Sequence, residues 1–313
     1  MAESENWERQ ALEKVALAAV TEQRRARRWG IFFKSLGFIY LFVLLFAALG
    51  WLNQAEVPVG RKHTALVDLE GVIAPGNQAS SERVIEGLQK AFKDRNTKGV
   101  ILRINSPGGS PVQAGQINDE IRRLRGKYPD IPLYAVVDDI CASGGYYVAA
   151  AADKIYVDKA SIIGSIGVII NGFGFTGSME KLGVERRMIT AGENKGFLDP
   201  FSPEDPKQKA YAQTMVEEIH QQFIDVVRKG RGKRLKETPD MFSGLVWHGA
   251  KSVELGLADA LGSADYVARE VVKAEDIVDF TPRQSLADRF AKRFGAATAQ
   301  ALMGTESGIA QFR

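Results

Sequence analysis

The sequence predicts an α/β protein with a mainly parallel sheet, preceded by one N-terminal membrane-spanning helix. Three observations predict it. From about residue 64, short β-rich runs alternate with stretches of helical periodicity, the pattern of βαβ crossovers. Two of these runs, GVILRI and PLYAVVD, lead into glycine-centred turns, NSPGGSP and CASGG, and then into helical patterns. Residues 31–52, IFFKSLGFIYLFVLLFAALGWL, form an apolar run of about the 20 residues that a bilayer-spanning helix needs.

The first element in chain order is WERQALEKVALAAVTEQRRARR, with Leu12, Val15, Ala16 and Ala19 at helical spacing. It predicts a short amphipathic helix with no chemistry in it. The charge in the apolar run, Lys34, lies within about a turn of its end, where it snorkels. Arg24, Arg25, Arg27 and Arg28 precede the run, and no comparable cluster follows before Arg61 and Lys62. The positive-inside rule puts residues 1–30 in the cytoplasm and the chain beyond residue 53 outside it, periplasmic or extracytoplasmic in a bacterium. A removable signal peptide competes, but its basic region would be unusually long and its cleavage site at Ala48-Leu49-Gly50 poor. The predicted organisation is a cytoplasmic segment 1–30, a signal anchor 31–52, a linker 53–63, a globular domain 64–281 and a tail 282–313.

Within the globular part, TALVDLEGVI reads as a strand. SERVIEGLQKAFKD places Val84, Ile85, Leu88, Ala91 and Phe92 on one helical face, with Ser80 or Ser81 as N-cap. GVILRI is a strand, VQAGQINDEIRRLRGKY a helix and PLYAVVD a strand, with a turn and a helix after it. SIIGSIGVII and VERRMIT read as two more β-like runs. A long helix over about 204–230 carries Tyr211, Met215, Ile219, Phe223 and Val226 at helical spacing. In the tail, LADRFAKRF predicts an amphipathic helix that packs on protein, with a membrane surface as the alternative.

Composition excludes several classes. Hydrophobic residues make up 45% and charged residues 25%, as in a globular protein. A net charge of +3, with no dense basic block in the globular part, gives no footprint for nucleic acid. The single Cys141 excludes an intrachain disulfide and a multi-thiolate zinc site. His63, His220 and His248 lack metal-ligand spacing, so a protein-bound metal is not expected.

Ser143 is the residue that draws chemistry. It sits where a strand meets a helical pattern, flanked by Ala142, Gly144 and Gly145. Sites in open α/β sheets form at such strand ends, and ASGGYY is not the G-x-S-x-G elbow of α/β-hydrolases. A plain N-cap explains the motif equally well taken alone. Gly108 and Gly109, in LRINSPGGS, follow a second strand of the same inferred sheet; if the two strands are neighbours, both glycine pairs converge on one anion-binding loop. The base is harder to read. No histidine comes with an orienting carboxylate. A lysine must lose its charge, and lowering its pKa by about three units costs roughly 4 kcal/mol. Local chemistry does not distinguish Lys195, in ITAGENKGF, from a surface lysine.

ASGGYYVAAAADKI, LRINSPGGS, SIIGSIGVI, Gly192-x-x-Lys195 and LVWHGAKSVELGLADALG, over about residues 64–270, occur in the order found in the signal peptide peptidase A family. The chain resembles the single-copy form of these bacterial membrane-anchored Ser/Lys peptidases. The resemblance implies a Clp protease/crotonase-like fold, a repeated β-β-α superhelix. It implies Ser143 as nucleophile, Lys195 as general base and Ser165 as the hydroxyl orienting the lysine amine. Gly109 becomes the main oxyanion donor, Gly108 the residue shaping its loop and Gly144 a second donor. The resemblance implies no cofactor. Cleaved signal peptides are the implied substrates, the bilayer is met through residues 31–52, and a homo-oligomeric ring is implied, with the dyad residues coming from one chain or from two. Two departures stand out. Glu193 puts a negative charge near Lys195 and is expected to face solvent, and His248 stands where threonine is common. Tyr146 and Tyr147 are expected to pack the helix. Two other readings share the fold: a crotonase-like acyl-CoA enzyme, which predicts a basic CoA-binding rim, and a non-enzymatic membrane scaffold, which predicts that Ser143 is dispensable.

Overall fold

The computed structural model describes residues 2–48 and 60–282. The chain divides into two units, one of which is residues 58–282. The described part of the other is a single helix, α1 (Ala2–Ala48), about 70 Å long at 1.5 Å per residue. The amphipathic segment and the apolar run, read as two elements from sequence, are thus one rod. Nothing between them breaks a helix: alanine and arginine are strong formers, and Gly30 costs only about 1 kcal/mol. Side chains from Glu13 to Leu45 are exposed, and Glu13–Phe46 is long and apolar enough to cross a membrane. The last four residues of the predicted span, and the tail with LADRFAKRF, lie outside the described residues.

In the second unit, β1 (His63–Glu70), β2 (Thr97–Ser106) and β3 (Leu133–Ala142) are parallel neighbours. The crossovers between them are α2 (Ser81–Lys93) and α3 (Pro111–Lys127). Ala65, Val67 and Leu69 of β1 share one core with Leu88 and Phe92 of α2 and Ile117 and Ile121 of α3. Leu66, Ile101 and Val136 enter a second core, with Val267 and Ala268. This two-residue alternation of strands, each face covered, is the α/β architecture the sequence predicts.

The sheet forks at β3. Its first half, Tyr134–Val137, pairs with β4 (Lys154–Val157), while Ile140–Ala142 pair with β5 (Ile162–Gly164). Beyond the fork, β5 pairs antiparallel with β6 (Val246–His248), and β4 pairs with β7 (Ala260–Leu261). On the far edge β8 (Ile277–Asp279) joins β1. Between β3 and β4 lies the short helix α4 (Gly144–Ala149). The fork lets β3 deliver Ser143 next to the end of β5, at Gly164.

One expected strand is absent. VERRMIT, residues 184–190, is irregular and pairs with no strand among the described residues. It lies on an arm containing only a short helix, α5 (Thr176–Leu182), ahead of the long α6 (Pro206–Arg231). No residue from Gly167 to Tyr211 is buried, so this arm has no core of its own.

Candidate active site

Ser143 leaves β3 with φ 50° and ψ −122°, backbone that a side-chain-bearing residue rarely adopts. Its N–H donates to the Gly164 carbonyl at 2.8 Å, and its carbonyl accepts from the Tyr147 N–H at 3.0 Å. The hydroxyl caps nothing. This is a sharp strand-to-helix elbow of the kind that presents a nucleophile, built without G-x-S-x-G because Cys141 occupies the first glycine's place. Gly145 occupies the second, where a Cβ would come 3.0 Å from the Ser106 carbonyl oxygen. Burial pushes the Cys141 thiol well above its ordinary range, which leaves it an unreactive packing group.

The parallel pairing of β2 and β3 sets the 106–110 turn against this elbow. Gly108 has φ +100°, and a Cβ on it would stand 2.7 Å from the Gly144 nitrogen and 2.8 Å from the Ala142 oxygen. Gly109 has φ +146°, and its Cβ would overlap the Ile73 carbonyl. The loop is pinned from behind: the Ile73 N–H donates to Gly108 at 2.9 Å, the Ser110 N–H donates to Ile73 at 2.8 Å, and the Ser106 hydroxyl accepts from the Gly108 N–H at 3.1 Å. The Gly109 nitrogen lies 3.3 Å from where a Gly144 Cβ would be. Among the described residues the amides of Gly109 and Gly144 meet no acceptor. The two glycine pairs converge, leaving two free donors beside the serine.

Ser165, just past β5, is a second serine at positive φ, 51°. Its N–H donates to Leu245 at 2.7 Å, and the next carbonyl, Ile166, lies 3.1 Å from His220 Nε2 on α6. Lys195 is elsewhere. It sits on an exposed turn, its N–H donating to Gly192 at 3.2 Å, with Glu193 and Asn194 also exposed. The dry setting expected for this lysine is absent within one chain, because the whole arm carrying it lacks buried residues. Lys195 and Ser165 do not line the cavity that Ser143 lines.

That cavity, of about 640 Å³, runs from Gly109, Ser143 and Gly144 between α3 and α6, past Tyr147, Phe223 and Asp119. Tyr147 therefore does more than pack its helix: its ring lies 5.1 Å from that of Phe223 and walls the cavity. Tyr146 is buried, its hydroxyl donating to the Leu257 carbonyl at 2.8 Å. His248 caps α7 (Gly249–Glu254), accepting from the Lys251 N–H at 3.4 Å. Among the described residues no group of His, Cys, Asp and Glu is placed to hold a metal. Sequence reasoning missed Ile73 and Gly164, which hold the site through main-chain atoms that no residue type announces, and His220, read as a surface or helix-packing residue, meets the Ile166 carbonyl through its ring.

Fold and site together define a class: an α/β protein whose forked parallel sheet presents a strained serine to two unpaired amides. Residues 126–278 match the family model described as Peptidase family S49. The chain is 30% identical over 234 residues to a putative signal peptide peptidase SppA of Enterococcus faecium, covering 72% of this chain and 67% of that protein. It is 34% identical over 223 residues to Protease 4 of Haemophilus influenzae, covering 69% and 35%. It is 43% identical over 209 residues to a Brucella melitensis protein named Na(+)/H(+) antiporter NhaA, covering 67% of this chain but 28% of that protein. The chain thus spans under a third of the length of its Brucella relative. It belongs to peptidase family S49, as a member of the signal peptide peptidase A family.

Proposed function

We propose that this chain is a membrane-anchored serine endopeptidase in which Ser143 is the nucleophile, Lys195 the general base and Ser165 the hydroxyl that orients the lysine amine. The observation that carries the reading is the elbow at Ser143, whose uncapped hydroxyl stands beside the free amides of Gly109 and Gly144. A serine acting only as a cap would sit in ordinary extended backbone and bond an amide of the first turn. Holding Ser143 at positive φ costs about 1–3 kcal/mol, a strain that persists where the surroundings enforce it.

In this mechanism the scissile carbonyl oxygen lies on the Gly109 and Gly144 N–H groups, with Gly108 giving the loop room for close approach. The Ser143 oxygen bonds to the carbonyl carbon as Lys195 takes the hydroxyl proton. The C–N bond then breaks as that proton passes to the leaving amine. Water, deprotonated by the same lysine, attacks the resulting ester, releasing the acid and regenerating the serine. Each oxyanion donor of this type contributes about 10²–10³ in rate. No cofactor is needed.

Lys195 reaches Ser143 from a neighbouring copy. Supporting this, the arm from Gly167 to Tyr211 exposes Ile169, Phe173, Leu182 and Ile189, apolar side chains that a second copy would cover. A closed ring of copies lays each arm on the next site and removes water from the amine that must act as a base. The arginine cluster before the apolar run favours a cytoplasmic N-terminus and a peptidase unit on the other side. Membrane-derived peptides left by export, signal peptides among them, are then the substrates within reach, in keeping with the name of the Enterococcus relative.

Treating the full-length protein and Ser143→Ala with a serine-directed covalent inhibitor, followed by peptide mapping, tests the reading. Modification at Ser143 in the wild type and none in the variant is expected. Modification elsewhere, or equal modification of both, would overturn it.

A further inference from the structure

The cavity beside Ser143 has both aromatic and charged walls. Its walls include the rings of Tyr147 and Phe223, the apolar Val112 and Ile219, and the side-chain amides of Gln116 and Gln222. Farther along α3 the same cavity is lined by Asp119. Ala114 lies 3.5 Å from where a Gly144 Cβ would be, and Asp119 is five residues further on, about 7.5 Å along the helix axis. That is about the reach of a lysine or arginine side chain whose backbone is held at Ser143.

The Asp119 carboxylate has no ion pair or hydrogen bond among the described residues. Its natural intrahelical partner, Arg122, sits at i+3 but is turned away: its Nε donates to Asn118 Oδ1 at 2.8 Å, and Asn118 in turn donates to the Tyr147 carbonyl at 2.7 Å. Both charges act on the cavity wall: burial and the Asp119 carboxylate raise the Tyr147 phenol above its ordinary range, and the Arg122 guanidinium opposes them. An exposed carboxylate with no hydrogen-bonded partner, on a cavity with aromatic walls, is complementary to a long aliphatic stem ending in a cation.

We infer that Asp119 sets specificity, and that the cavity takes a lysine or arginine side chain of the substrate peptide beside the bond that Ser143 cleaves. The inference rests on the peptidase reading and narrows its substrates to peptides in which basic residues adjoin apolar ones.

The full-length protein in detergent is tested on a matched peptide set that varies one position next to the scissile bond: lysine, arginine, norleucine and glutamate. Rates are read as the ratio of kcat/KM for lysine over norleucine within each variant, so a general loss of activity cancels. Wild type is expected to favour lysine and arginine over norleucine by about fivefold, the upper end for a partly solvated charge pair. Asp119→Asn should bring the ratio to about one, and Asp119→Lys should invert it and admit glutamate. Ser143-dependent cleavage with no cationic preference, or a preference unchanged in Asp119→Asn, overturns the inference and leaves the peptidase reading standing. No Ser143-dependent cleavage of any peptide overturns both.

Discussion

The main-chain N–H of Ser143 donates to the carbonyl of Gly164 across 2.8 Å, which joins the strained elbow at the end of β3 to the residue preceding Ser165. Both serines sit at positive φ, and this bond fixes one against the other without involving either hydroxyl. Placement of the two side chains is thus a property of the β3–β5 pairing.

Strain at Ser143 predicts an unusual order of stabilities. Ser143→Ala and Ser143→Gly should both be inactive, yet the glycine variant should be the more stable by about 1 kcal/mol, since it alone relieves φ 50°. Urea denaturation of the two variants decides the point. A more stable alanine variant, the usual order in a helix, would mean that the elbow is unstrained.

The glycine at 109 has no tolerance for a side chain. A methyl group there meets the Ile73 carbonyl that accepts the Ser110 N–H. Gly109→Ala should lose about 2–4 kcal/mol of stability and at least a hundredfold in peptidase rate, whereas Gly115→Ala, with open space at that Cβ, should fold normally. Equal stability of the two variants would contradict the packing described.

Much of this was legible in the sequence, and the reasons differ by element. Strand and helix alternation showed because β1, β2 and β3 are buried on both faces and their crossover helices on one. The convergence of NSPGG with ASGG followed once the two strands were taken as neighbours. The elbow was not legible: its conformation is imposed by tertiary bonds to Gly164 and by the close approach of Gly145 to Ser106, in a sequence lacking the usual glycine before the serine. VERRMIT looked like a strand because its pattern records burial, and among the described residues nothing buries it. Lys195 is an ordinary surface residue within one chain, so no local pattern marks it, and the family resemblance alone pointed to it.

The uncovered arm predicts association. Ile189 is 100% exposed in the single chain, so Ile189→Glu should leave the stability of residues 58–282 within about 0.5 kcal/mol of wild type. The same change should shift sedimentation toward smaller species. Unchanged sedimentation would place the interface elsewhere.

A buried ion pair gives the stability its acid limit. Arg231, 1% exposed, donates to Asp259 at 2.8 Å. Burial works against the Asp259 charge, but the bond from Arg231, its charge, the Ile155 N–H and Arg234 outweigh it and hold the carboxyl below its ordinary range. A depressed folded pKa contributes stability that is complete above the unfolded value of about 3.9 and is lost as pH falls through the folded one. Asp259→Asn should cost about 3–5 kcal/mol near pH 7, because it strands a buried guanidinium. The gap between wild type and variant should narrow below about pH 4, and a gap independent of pH would refute the assignment.

The central claim is that one chain supplies Ser143 with its two amides and a neighbouring chain supplies Lys195. Its most direct test is to co-assemble two inactive full-length variants, Ser143→Ala and Lys195→Ala, and measure peptide hydrolysis. Random one-to-one assembly should restore about a quarter of wild-type activity, the fraction of sites with an intact serine facing an intact lysine. A mixture that co-assembles yet is no more active than either variant alone would contradict the account.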